Sequence, residues 1–235
     1  MLAKPEIPLQ NQDLENLSPQ EILKKLYDVF PDKVALSMSL QAEDVVLLDM
    51  IVKLGKPVKV YALDTGRLHE ATYRMMDSIR YKYHIDLEVY FPKAEDVEKL
   101  VREKGLYSFK ESVENRKECC YIRKVLPNNR ALKGMKLWIT GIRRDMSEDR
   151  KNTPILEWDD SHHLYKAAPL ANWTRKQVHE YAKENHVPYH PLYNEGYLSI
   201  GCEPCTRAVQ EGEDERAGRW WWEQEGHKEC GLHFH

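Results

Sequence analysis

The sequence predicts an α/β fold: a mainly parallel sheet flanked by helices, joined by right-handed crossovers. Two observations carry this expectation. Short apolar runs of strand length alternate with helical stretches through residues 34–140. The first two runs also end in small or polar residues, Ser37-Met38-Ser39 and then Asp64-Thr65-Gly66, as ligand loops at the carboxyl ends of parallel strands do.

The elements follow in order. Residues 1–17 are polar and are expected to be loosely ordered. Ser18-Pro19-Gln20-Glu21 is a helix start, with a capping serine, proline at the first helical position and glutamate three residues after the cap. Ile22, Leu23, Leu26 and Phe30 continue it at helical spacing. Val34-Ala35-Leu36 is a buried strand, and a helix is expected over 43–54. Val58–Leu63 is a second strand, 68–83 a helix, Leu87–Phe91 a strand, and 95–104 a helix. A helix over 117–132 carries Cys119-Cys120, and Leu137–Thr140 is a further strand. Trp173-Thr174 opens a late helix over 173–185. Beyond about residue 190, Pro, Gly and Cys dominate, which reads as an irregular segment packed on the main domain. The organisation expected is a loosely ordered N-terminal segment over 1–17, a nucleotide-binding α/β domain over 18–190 carrying the first cysteine pair, and a C-terminal segment over 191–235 with the Cys-x-x-Cys pair and a mobile tail.

At 235 residues the chain can bury a full core without disulfide staples. There is no apolar run of bilayer length and no secretory apolar stretch at the N-terminus, so no membrane partner and a cytoplasmic location are expected. The odd count of five cysteines agrees with a reducing compartment. A net charge of −3 with interspersed signs gives no footprint for nucleic acid. Assembly as a homo-oligomer is expected.

The cysteines divide four plus one. Cys119-Cys120 and Cys202-x-x-Cys205 form two pairs far apart in sequence, which suits a four-thiolate metal site. Neighbouring residues on a helix do not share a face. Both Cys119 and Cys120 can therefore serve one centre only if it is large or the helix is distorted, which favours a 4Fe-4S cluster over a single zinc. Arg123 and Lys124 follow within a turn, where cations offset thiolate charge; a solvent-facing lysine is the plainer alternative. Cys230 stands alone in the tail, with His227, Lys228 and His233 as cations able to make its thiol a nucleophile.

Three post-strand loops carry candidate ligand chemistry. Ser37–Asp44 runs from strand into helix, with Ser37 and Ser39 placed to form an anion seat at a helix N-terminus. Asp64, Thr65, Gly66 and Arg67 follow the second strand, where Asp and Thr suit a ribose or amino group and Arg a phosphate. Arg143, Arg144 and Arg150 lie in one loop suited to phosphate or sulfate. Arg216 and Arg219 precede Trp220-Trp221-Trp222, a group able to clamp an anion or to dock the tail by aromatic burial.

Together these stretches resemble the adenylylsulfate reductase family of assimilatory sulfate reduction, the iron–sulfur relatives of phosphoadenylylsulfate reductases. The resemblance covers about residues 33–235. It is carried by Ser37–Asp44, LDTGR (63–67), RKECCYIRK (116–124), TGIRRDMSEDR (140–150), PLYNEGYLSIGCEPCT (191–206), ERAGRWWWE (215–223) and KECGLH (228–233). It implies an adenine nucleotide α-hydrolase-like fold with adenosine 5′-phosphosulfate as substrate. It implies that Cys119, Cys120, Cys202 and Cys205 hold a 4Fe-4S cluster, with Lys124 between cluster and substrate. Arg143, Arg144, Arg216, Arg219 and His233 match phosphosulfate-contacting positions, and Ser37, Ser39 and Asp64–Arg67 match adenosine-binding ones. Cys230 matches the nucleophile, and the implied partner is thioredoxin or a glutaredoxin-like reductant. One departure stands out: the first loop reads Ser39-Leu40-Gln41-Ala42-Glu43-Asp44, where many relatives have a glycine-containing Ser-Gly-Ala-Glu-Asp turn.

Three alternatives stay open on sequence. A reductase of the 3′-phosphorylated substrate, or of both, is the nearest. An ATP pyrophosphatase of the same fold would want an SGGxDS-type loop, which is lacking. A zinc-stabilised nucleotide-binding module would be colourless.

Overall fold

The computed structural model describes residues 4–223 and 231–232. Its framework is a six-stranded sheet formed by β1 (Val34–Met38), β2 (Lys59–Leu63), β3 (Leu87–Tyr90), β4 (Leu137–Ile139), β5 (Leu156–Asp159) and β6 (Leu164–Ala167). The strand order is β3-β2-β1-β4-β6-β5. All pairings are parallel except β5 with β6.

The helices are α1 (Pro19–Val29), α2 (Ala42–Lys53), α3 (Glu70–Tyr83), α4 (Ala94–Lys104), α5 (Val113–Cys120), α6 (Leu126–Leu132) and α7 (Arg175–Glu184). α1 begins as its sequence demands: Ser18 Oγ accepts the Glu21 N–H while the Glu21 carboxylate accepts the Ser18 N–H at 2.9 Å. α7 starts with the same reciprocal bonds between Thr174 and Gln177.

Both faces of the sheet are covered, which is why its strands are apolar throughout rather than alternating. Leu36, Met38, Val60, Ala62 and Ile139 join the main core, whereas Ala35, Tyr61 and Trp138, pointing the other way, pack in a second one with Ala131 and Leu132 of α6. α2 is buried at every residue from Ala42 to Ile51. Its buried acids Glu43, Asp44 and Asp49 each find a hydrogen-bond partner, from Arg143, Ser39 and Tyr83 respectively.

Three expectations need correction. The hairpin β5–β6 is absent from the sequence reading; each strand has only four residues, too few to establish a period. The segment 4–17 is packed, not loose, with Leu9 and Leu14 buried. Asn11 there donates from Nδ2 to the Leu156 carbonyl at 2.7 Å and accepts the Leu156 N–H at 2.8 Å, shielding the edge strand β5. Finally, the single helix expected over 117–132 starts at Val113 and contains a π-helical turn, Tyr121–Val125. The residues from 191 to 223 form only 3-10 turns and isolated bridges, as their composition suggests.

Among the described residues no helix is long and apolar enough to cross a membrane.

Candidate active site

The strand order reverses between β1 and β4, so the loops leaving them diverge and open a crevice at their carboxyl ends. A cleft of about 1180 Å³, open to solvent, occupies this place. Ser37, Ser39, Thr65, Lys124, Arg216 and Arg219 line it, all of them singled out by sequence.

The loop from β1 to α2 is built differently from the expected anion seat. Ser39 donates both its N–H (2.6 Å) and its hydroxyl (2.5 Å) to Asp44 Oδ2. The Gly141 N–H also supports this carboxyl. The first amide of α2, Ala42 N–H, is taken by Tyr193 Oη at 3.0 Å. The seat therefore holds the protein's own carboxyl group. Complete burial pushes that carboxyl up to about 7, against the lowering effect of its Ser39 bonds. Gly141 is required here, because a Cβ would collide with Asp44 Oδ1 and the Glu43 side chain. Leu40 takes a left-handed conformation (φ 66°) and sinks its side chain into the core, 1% exposed.

The loop after β2 is a joint between the two cysteine pairs. Asp64 Oδ1 accepts the Gly66 N–H (2.7 Å) and the Tyr73 hydroxyl (3.0 Å), closing a turn that needs Gly66 at φ 69°. Thr65, fully buried, places Oγ1 3.2 Å from Cys202 Sγ. Its carbonyl accepts Arg123 Nη1 at 2.6 Å, from the stretch that follows Cys119-Cys120. The Glu203 N–H donates to the Arg67 carbonyl at 2.8 Å, so the Cys202–Cys205 loop docks on this turn through its backbone.

All four paired cysteines line one small pocket, together with Arg67, Arg116, Arg123 and Lys124. The π-helical turn begins immediately after Cys120, and its Leu126 N–H bonds back to the Tyr121 carbonyl. Cys119 and Cys120 themselves lie at the end of the regular helix α5. Burial first, then neighbouring Cys202, pushes the Cys205 thiol up to about 12; burial likewise raises Cys119. Of the four, Cys120 is buried and the other three are partly buried. Among the described residues no three His, Cys, Asp or Glu side chains converge on a point fit for one metal ion.

The basic residues sort into three groups. Lys124 lines both cavities and so stands between cysteines and cleft. Arg150, Arg216 and Arg219 line the cleft. Arg143, Arg144 and Arg67 do not. Arg143 is wholly buried and divides its guanidinium among Glu43 (2.9 Å), Glu215 (3.0 Å) and Asp145, which makes it the cation of a buried acidic cluster. Arg144 turns to the N-terminal segment, pairing with Glu15 at 2.8 Å and the Thr153 carbonyl at 2.8 Å. Arg67 leans over Phe109 and donates to the Leu106 carbonyl at 2.5 Å beside the cysteine cavity. Asp64 and Gly66 shape their turn without lining the cleft.

Trp220 is 1% exposed and lies between the guanidinium groups of Arg116 (4.6 Å) and Arg219 (4.8 Å). Arg116 in turn pairs with Glu223 at 2.7 Å in a buried ion pair. Arg219 thus lines the cleft, while Trp220 anchors the segment by burial. Cys230 and His233, with His227 and Lys228, lie outside the described residues. Leu232, two positions beyond Cys230, lines the cleft.

The sequence reading missed Gln41 and Asn128 as cleft residues. Asn128 follows Lys124 by four positions in a helical run, a spacing that signals a shared face. Gln41 had no signal apart from its place in the departing loop.

The sheet order, the switch-point cleft and the overall likeness to a solved nucleotide-sulfate enzyme define an adenine nucleotide α-hydrolase-like protein. That structure, the phosphoadenylyl-sulfate reductase of Candida auris in its phosphate complex, superposes with a TM-score of 0.73 and 32% identity, covering 87% of this chain and 100% of the other. Residues 33–208 match the phosphoadenosine phosphosulfate reductase domain, and the chain belongs to that family. It is 49% identical over 203 residues to the adenosine 5′-phosphosulfate reductase of Burkholderia cepacia, covering 86% of this chain and 81% of the relative. It is 47% identical over 234 residues to the enzyme of that name from Pseudomonas aeruginosa strain LESB58, covering 97% and 86%.

Proposed function

We propose that the chain reduces adenosine 5′-phosphosulfate to sulfite and AMP in assimilatory sulfate reduction, and so serves cysteine biosynthesis, with a thioredoxin or glutaredoxin-like dithiol as reductant in the cytoplasm. The observation that carries this reading is Lys124, which lines both the cysteine cavity and the cleft. The names of the bacterial relatives favour the substrate without a 3′-phosphate.

The cleft binds the nucleotide, and Lys124, Arg150, Arg216 and Arg219 offset the charge of its phosphosulfate. Cys230 thiolate attacks the sulfate sulfur. The new S–S bond forms as the S–O bond breaks, and the electron pair leaves on the phosphate oxygen of AMP. A thiolate of the dithiol then attacks Cys230 Sγ and expels sulfite. Its second thiol resolves the mixed disulfide, so the dithiol supplies both electrons. The place of Leu232 in the cleft supports a tail that reaches the substrate. A nucleophile on a tail can meet substrate and protein partner in turn.

Cys119, Cys120, Cys202 and Cys205 would hold a 4Fe-4S cluster. The pocket that all four cysteines line supports one shared centre. When bound, it supplies a fixed charge and a covalent joint between two distant segments.

The test is sulfite release from adenosine 5′-phosphosulfate and from its 3′-phosphorylated relative. Cys230→Ser incubated with substrate should form no sulfonate adduct detectable by mass. An adduct on that variant would assign the attack to another thiol. Protein purified without oxygen should be brown and carry about four irons per chain; stoichiometric zinc would exclude the cluster.

A further inference from the structure

We infer that Gln41 is a positioning residue that ties the two walls of the cleft together and sets the pose of Arg219. This rests on the reading of the cleft as a phosphosulfate site.

Gln41 is the cap residue of α2, yet its side chain makes no cap hydrogen bond. It reaches across the cleft instead. Its Oε1 accepts the Ile200 N–H at 2.8 Å, a residue 159 positions away. Its Nε2 donates to Ser39 Oγ at 3.2 Å. Both ends of the amide are thus engaged within the protein, which leaves Gln41 a linking role.

The Ile200 peptide passes the constraint on. Its N–H is fixed by Gln41, and its carbonyl accepts Arg219 Nη1 at 3.3 Å. The same guanidinium donates to Ser199 Oγ at 3.4 Å and rests against Gly201, where any Cβ would collide with it. Arg219 is therefore held by the short stretch Ser199–Gly201, and Gln41 fixes the outer side of that stretch. On the other wall, Ser39 donates to Asp44 and accepts from Gln41, so one side chain registers both walls.

Arg219 holds the anion alike in ground and transition states, so loosening it weakens binding without slowing chemistry. The variant is Gln41→Met, which keeps the length and removes both hydrogen bonds. KM for adenosine 5′-phosphosulfate should rise by about 3- to 10-fold, the worth of one or two neutral hydrogen bonds. kcat should change by less than about twofold. In an Arg219→Ala background the same substitution should raise KM by less than about twofold more, because the group it positions is gone. A KM at the wild-type value, a loss in kcat alone, or an equal KM increase in both backgrounds would overturn the role. Sulfite release by the wild type tests the reaction itself. If it fails, the same cycle read as AMP affinity by calorimetry still tests Gln41.

Discussion

Thr65 Oγ1 and Cys202 Sγ lie 3.2 Å apart, so the loop that closes the nucleotide side of the sheet touches the second cysteine pair directly. The same threonine also receives Arg123 from the other pair's helical run. One buried residue thus holds both halves of the thiol site in register. Thr65→Val keeps the shape and removes the hydroxyl contact. The variant should still bind iron but lose it faster to a chelator, because hydrogen bonds to ligand sulfur stabilise the bound form. Bleaching at the wild-type rate would show that the contact is incidental.

Lys124 lines both the cleft and the cysteine pocket, so its charge reaches both. Lys124→Ala should lower turnover by about 10²- to 10³-fold, the usual cost of one donor aimed at developing charge. Its iron content should match wild type. Unchanged turnover would reduce Lys124 to a surface charge.

Arg143 and Arg144 are adjacent in sequence and opposite in consequence. Arg143→Ala strands Glu43 and Glu215 without their buried cation and should destabilise the fold by about 3–5 kcal/mol. Arg144→Ala breaks a half-exposed pair with Glu15 and should cost less than about 1 kcal/mol, with KM unchanged. Denaturant midpoints and KM for both variants check the contrast. A large KM effect for Arg144→Ala would restore it to the substrate site.

Asp44 should leave a mark on the pH dependence of stability. Its carboxyl titrates near 7 in the folded state, raised from an ordinary 3.8 by burial. Between those values the folded protein binds the extra proton, so this group's contribution falls as pH rises through about 4 to 7 and is fully lost above. The slope is at most about 1.4 kcal/mol per pH unit. Urea unfolding of wild type and Asp44→Asn from pH 5 to 8 should differ by that slope. Parallel curves would mean that Asp44 is ionised throughout.

Much of this was legible before folding. The capping box at Ser18 and Glu21, the strand Val34–Leu36 and the two cysteine pairs depend on neighbours in sequence or on periodicity, and both survive in one dimension. The helix carrying Cys119 and Cys120 was also legible, whereas the π-helical turn Tyr121–Val125 that follows it was not.

What remained hidden depends on partners far away in sequence. An arginine's charge is fixed by its identity, but whom it meets is not. Arg143 looked like a phosphate ligand until Glu43 and Glu215, 100 and 72 positions away, claimed it. The serine-rich loop looked like an anion seat until Asp44 filled it. The packed leader over 4–17 became visible only through the edge strand β5, itself too short to announce its period. The sequence alone determined the alternation of elements and the inventory of thiols and cations. The tertiary structure decided which charges cancel one another and which face the cleft, because Coulomb energy and desolvation depend on distance in space and on burial.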